Sequence, residues 1–116
     1  MPQHIKPLTN EWSDTTVRGG TILQTSVVCE GRHGISSAYF RMAKGARIPT
    51  HHHPKWVQVM VIEGALNVQT EGQDNLTVKA GECYFVEPGE THTETALEDS
   101  LVLVTQDEDR AEFLSD

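Results

Sequence analysis

Cysteine is scarce: Cys29 and Cys83 are the only two in 116 residues, and their spacing matches neither a CxxC metal motif nor a disulfide framework. Both are expected to be reduced. Basic residues are few, nine Lys plus Arg against seventeen Asp plus Glu, a formal net charge of -8. That balance argues against nonspecific binding to nucleic acid or an anionic membrane. No apolar run approaches the length of a membrane span. The opening Met1-Pro2-Gln3-His4-Ile5-Lys6-Pro7 is polar and proline-broken rather than a secretory leader. These absences lead to the expectation of a cytoplasmic protein. Helical periodicity is lacking too, except for one possible terminal turn over Asp109 to Leu114. The length leaves no room for a second domain.

What the chain has instead is a series of short β-prone runs rich in Val, Ile, Thr and aromatic residues. They are Thr21 to Cys29, Ser36 to Met42, Ile48 to His53, Trp56 to Ile62, Ala65 to Thr70, Leu76 to Val78, Cys83 to Val86 and Ser100 to Thr105. Turn signals such as Lys44-Gly45, Glu63-Gly64, Ala80-Gly81 and Pro88-Gly89 punctuate them. The repeat length is that of an all-β sandwich or barrel. Residues 1–20 read as an irregular lead-in with Trp12 as an apolar anchor, 21–105 as the barrel, and 106–116 as an acidic tail. Val57 to Ile62 is apolar at nearly every position, which suggests cover on both faces, by the core on one and by a second sheet or partner subunit on the other.

Three consecutive histidines, His51-His52-His53, stand mid-chain, and His92 follows about forty residues later. In a strand, alternate side chains share a face, so His51 and His53 go one way and His52 the other. Two imidazoles from the first stretch and one from His92 make a neutral donor set suited to a divalent transition metal such as Fe, Ni, Mn, Cu or Zn.

These stretches resemble the two motifs of the cupin superfamily, of the small single-domain cupin 2 type. Gly45-Ala46-Arg47-Ile48-Pro49-Thr50-His51-His52-His53 matches the first half of motif one, and Gly64 its end. Gly81 to His92 matches motif two in every spacing, with Glu87 where the first proline is usual. The resemblance implies a jelly-roll β-barrel holding a metal near one end through His51, His53 and His92. It also implies a homodimer, for which the Val57 to Ile62 run and the N-terminal segment offer a surface.

The family's fourth ligand is an acid or Gln. Counting back from Gly64 gives Val57, whereas the longer count from His53 gives Gln58, and one residue of shift reverses the face. A bulge near Pro54 or Trp56 is needed to bring Gln58 inward. Two activities follow from the resemblance. A three-histidine site suits a dioxygenase, while Phe40 to Gly45 and Ala96 to Asp99 followed by Arg110 and Phe113 look similar to small cupins that act on unsaturated uronates, an isomerase or lyase chemistry. Gln58 and Glu94 are the acid–base candidates, and Arg41, Tyr39 and Arg110 the candidates for contacting an anionic, oxygen-rich substrate. The alternative is a non-catalytic small-molecule binding or sensing barrel with a structural metal.

Overall fold

The structure is a computed structural model that describes residues 3–6, 11–17, 20–51 and 55–107, with the backbone alone for 49–51. The described residues form β1 (Ser13–Thr16), β2 (Ile22–Arg32), β3 (Ile35–Met42), β4 (Arg47–His51), β5 (Val57–Glu63), β6 (Ala65–Thr70), β7 (Leu76–Lys79), β8 (Cys83–Val86), β9 (His92–Ala96) and β10 (Ser100–Asp107). They contain no α-helix. The expected helical turn at Asp109 to Leu114 lies outside the described residues.

The strands make two antiparallel sheets, one of six in the order β1-β2-β3-β10-β5-β8 and one of four in the order β4-β9-β6-β7. This is the all-β architecture that the strand spacing anticipates and the jelly-roll barrel that the resemblance implies. The lead-in is not wholly irregular, because β1 pairs with β2, Ser13 opposite Thr25 and Thr16 opposite Ile22. Its sequence, Ser-Asp-Thr-Thr, has one half-buried residue in four. Pairing with a neighbour, rather than an apolar stripe, makes it a strand.

Period-two alternation sets the core. On β5, Val57, Val59 and Val61 are buried while Gln58, Met60 and Ile62 are exposed. On β3, Ala38, Phe40 and Met42 go inward, and on β10 Val102 and Val104 do the same. Leu66 and Val68 meet them from the opposite sheet. Burying each large apolar side chain contributes about 2 kcal/mol. The Val57 to Ile62 run therefore divides by face: its odd members build the core, and its even members stand outside.

Gly64 closes the β5–β6 turn with φ +87, and a Cβ there would sit 2.5 Å from Asp99 O and 2.9 Å from Ser100 Cα. Only glycine lets these two backbones approach so closely. Ser100 completes the joint, its Oγ donating 2.9 Å to Glu98 O and accepting from Ala65 N at 3.2 Å.

Candidate functional site

Four strand ends meet at one end of the barrel. β4 ends at His51 and β5 begins at Val57, while β8 ends at Val86 and β9 begins at His92. The register places residue 51 directly opposite His92 in the β4–β9 pair, and Val57 opposite Val86 in the β5–β8 pair. Two of the three candidate ligand positions are thus cross-strand neighbours, the closest relation a sheet offers. The third, His53, lies outside the described residues, as do His52 and Arg110.

A short loop sets where His92 emerges. The Glu87 N–H donates to Glu90 Oε1 at 2.7 Å, the Glu90 N–H donates to Glu87 O at 3.2 Å, and Gly89 takes φ +81. Gln73 Nε2 donates to Glu90 Oε2 at 2.8 Å and ties the loop to the β6–β7 turn. Here the departure from the motif has a physical meaning. A proline at position 87 would fix φ but have no N–H to give, whereas Glu87 closes the turn with a charge-assisted hydrogen bond instead.

His92 is 2% exposed, with Nδ1 3.4 Å from Glu90 O and Nε2 3.4 Å from Glu94 Oε1. Glu94 is two residues on and shares its inward face. Its cross-strand neighbours are Ile48 on β4 and Val68 on β6, both buried. Tyr84 reaches over from β8 in the other sheet and donates its phenol hydrogen to Glu94 Oε2. Burial among apolar neighbours pushes the Glu94 carboxyl up from 4.5 to about 7, since ionising it there forfeits hydration. The space beside it, bordered by Leu23, Phe40, Ile48, Leu66, Tyr84 and Val104, is a cavity of about 10 Å³, the scale of a single water. On the other side, an open cavity of about 250 Å³ between Gln69, Thr70, Glu71, Thr91 and Thr93 borders His92.

Gln58 does not join this group. It is exposed on the outer face, opposite Thr105 and Phe85, while Val57 is the buried one. The ladder runs without a shift from Val57 to Met60, and along it Val57 and Val59 are buried while Gln58 is exposed, so alternation turns Gln58 away from the interior. Its place in the site goes to neither candidate, because valine has no donor atom. Tyr39 and Arg41 likewise leave the interior. On β3 they alternate with the buried Ala38, Phe40 and Met42, and the Arg41 guanidinium lies 3.9 Å above the Trp12 ring. Cys83 is exposed on the outer face, and both cysteines are unpaired. Phe85 is also outside, stacked on Trp56 with centroids 5.7 Å apart.

Two interior polar residues escaped the motif reading. Gln106 is 4% exposed and lies in the row that joins Ser36 on β3 to Val57 on β5, at the same end as His92. Tyr84 is the other, and only the cross-sheet contact to Glu94 reveals its polar task. Among the described residues no three His, Cys, Asp or Glu side chains gather as a metal cluster. The donor chemistry present still fits a divalent ion: a buried imidazole facing a buried carboxyl, with residue 51 opposite.

The ChrR cupin-like domain family matches residues 2–109. The chain is a cupin of this family. Its fold recurs in an RmlC-like cupin from Shewanella frigidimarina NCIMB 400, at TM-score 0.78 and 22% identity, covering 97% of this chain and 96% of that one. KdgF from Halomonas sp. aligns at TM-score 0.77 and 24% identity over 97% of this cupin and 100% of its own chain. The polyketide cyclase RemF from Streptomyces resistomycificus aligns at TM-score 0.77 and 15% identity, over 94% and 81%. At these identities the likeness is one of fold. No curated protein matches the sequence. No helix of the described residues is long and apolar enough to cross a membrane.

Proposed function

We propose that this cupin is a metal-dependent enzyme that moves a proton on a small, oxygen-rich or anionic carbonyl compound, an isomerase or lyase rather than a dioxygenase. The observation that carries this reading is the pairing of Glu94 Oε1 with His92 Nε2 at 3.4 Å on the strand whose neighbour places residue 51 opposite His92. His51, His53 and His92 would hold the ion, of the Fe, Ni, Mn, Cu or Zn class. Such an ion supplies Lewis-acid polarisation of a carbonyl oxygen. Glu94 is the one buried acid among the described residues, and it stands beside His92, where a proton taken from carbon would be received. Tyr84 holds that carboxyl in one orientation from the opposite sheet. The apolar wall around it keeps bulk water away from the transfer.

The cavity of about 10 Å³ on the inner side of Glu94 favours a second reading, a binding or sensing cupin with a structural metal. It requires substrate to approach from the His92 side, because the inner side has room for no more than a water.

Metal-stripped protein titrated with Fe, Ni, Mn, Cu and Zn, followed by proton NMR of diketones and unsaturated uronates in deuterated buffer, separates the two. Deuterium entering a carbon acid at a rate that falls about 100-fold or more in Glu94→Gln is the expected result. Metal binding without exchange on any of these compounds supports the sensing barrel. Metal binding that survives loss of His51, His53 and His92 together sinks both.

A further inference from the structure

We propose that the outer face of the six-stranded sheet, at the end away from His92, carries a binding site for a basic amino acid, built from Arg41, Glu63, Asp99 and Gln24. These residues border an open cavity of about 380 Å³ together with Met42 and Leu101, a size that suits a small metabolite. The ladder brings three of them into line. Gln24 on β2 is opposite Arg41 on β3, Arg41 is opposite Leu101 on β10, and Leu101 is opposite Glu63 on β5.

Each charged group is set in place by a different feature. The Arg41 guanidinium rests 3.9 Å from the Trp12 ring centroid. Among the described residues it makes no hydrogen bond or ion pair. A guanidinium held on an aromatic face keeps its N–H fork available for a carboxylate. Glu63 owes its direction to a shift in register: Val102 is opposite Val61 but Leu101 is opposite Glu63, so Ile62 and Glu63 are both exposed where strict alternation would turn Glu63 inward. A bulge that re-aims one side chain is the usual device for this. Asp99 is held by the Lys44 N–H, which donates to Oδ1 at 2.8 Å, and its backbone is pressed against Gly64.

The charges specify the ligand. Two carboxylates and one guanidinium mirror a molecule with two ammonium groups and one carboxylate, which is the diamino-acid class. Arg41 and Glu63 lie two strands apart, roughly 10 Å between backbones, so a short bifunctional molecule can engage both at once. A simple anion would face two acids, and a simple amine would face Arg41. The site is independent of the metal centre, at the opposite end of β10 from Gln106.

Two-dimensional amide NMR of the 15N-labelled full chain tests it, with L-lysine as probe and cadaverine and hexanoate as controls. L-lysine should give saturable shifts at Gln24, Arg41, Glu63 and Asp99, with each control binding about tenfold more weakly. In Arg41→Gln, L-lysine should bind no better than cadaverine does. Arg41→Lys, which keeps the charge but loses the fork, should also weaken it. Glu63→Gln should lower affinity for L-lysine and cadaverine but not for hexanoate. The proposal is overturned by linear, unsaturated shifts with L-lysine, by equal affinity for all three probes, or by unchanged L-lysine affinity in a well-folded Arg41→Gln.

Discussion

Tyr84 and Glu94 join the two sheets through a hydrogen bond between side chains, phenol to carboxyl Oε2, beside the apolar core. Tyr84→Phe removes the donor and leaves Oε2 buried, which costs about 1 to 3 kcal/mol in chemical denaturation. In a Glu94→Gln background the same change should cost measurably less. Additive losses across the four proteins of that double-mutant cycle would show that the two groups do not communicate.

The raised Glu94 carboxyl gives metal-free protein a definite pH dependence. Between 4.5 and about 7 the folded chain keeps a proton that the unfolded chain has released. Stability from this group is therefore full below the unfolded value, falls as pH rises through about 7, and levels off above it, with a span of about 3 kcal/mol. Urea midpoints of chelator-treated protein from pH 4 to 8 measure it against Glu94→Gln, in which that contribution is flat. A wild-type curve parallel to that of Glu94→Gln contradicts the assignment.

Gly64 and Gly72 both have positive φ, +87 and +79, but only Gly64 has backbone against its missing Cβ. Gly64→Ala should lower stability by about 3 kcal/mol, and Gly72→Ala by about 1 kcal/mol. Equal losses from the two substitutions would mean that the Asp99–Ser100 contact yields without cost.

Met60, Ile62 and Phe85 are 40%, 36% and 52% exposed on the outer face. Met60 lies in an uncharged row with Cys83, Leu103 and Tyr39. In a chain of net charge -8, an uncharged patch is where a second copy can approach without like-charge repulsion. The homodimer through this face is a proposal. Light scattering should give twice 12.9 kDa for the native chain and a single copy for Met60→Lys. A native chain of single-copy mass removes the idea.

The barrel was legible because most strands alternate or run apolar, and their turns carry glycine. Ala65–Thr70 and Cys83–Val86 have the expected bounds. β9 does not look like a strand in sequence, since His-Thr-Glu-Thr-Ala has polar side chains where a core-facing strand would have apolar ones. Those inward polar groups are what make it the site. Motif spacing points to His92 but not to Tyr84, which comes from another sheet, and contacts between sheets leave no periodic trace. The choice between residues 57 and 58 turns on strand parity, which a count of residues from His53 or Gly64 does not fix. Arg41 looks like a substrate group in the sequence because its place on a strand is legible there while its face is not.

β9 is an inner strand, paired with β4 on one side and β6 on the other. His92 and Glu94 cannot change their spacing without opening two ladders at once, so their geometry is inherited from the fold rather than assembled by a ligand. Amides there should exchange only through global unfolding. An ion or substrate arriving at this end meets an imidazole and a carboxyl already in position, and any adjustment on binding must come from the other side of the cleft.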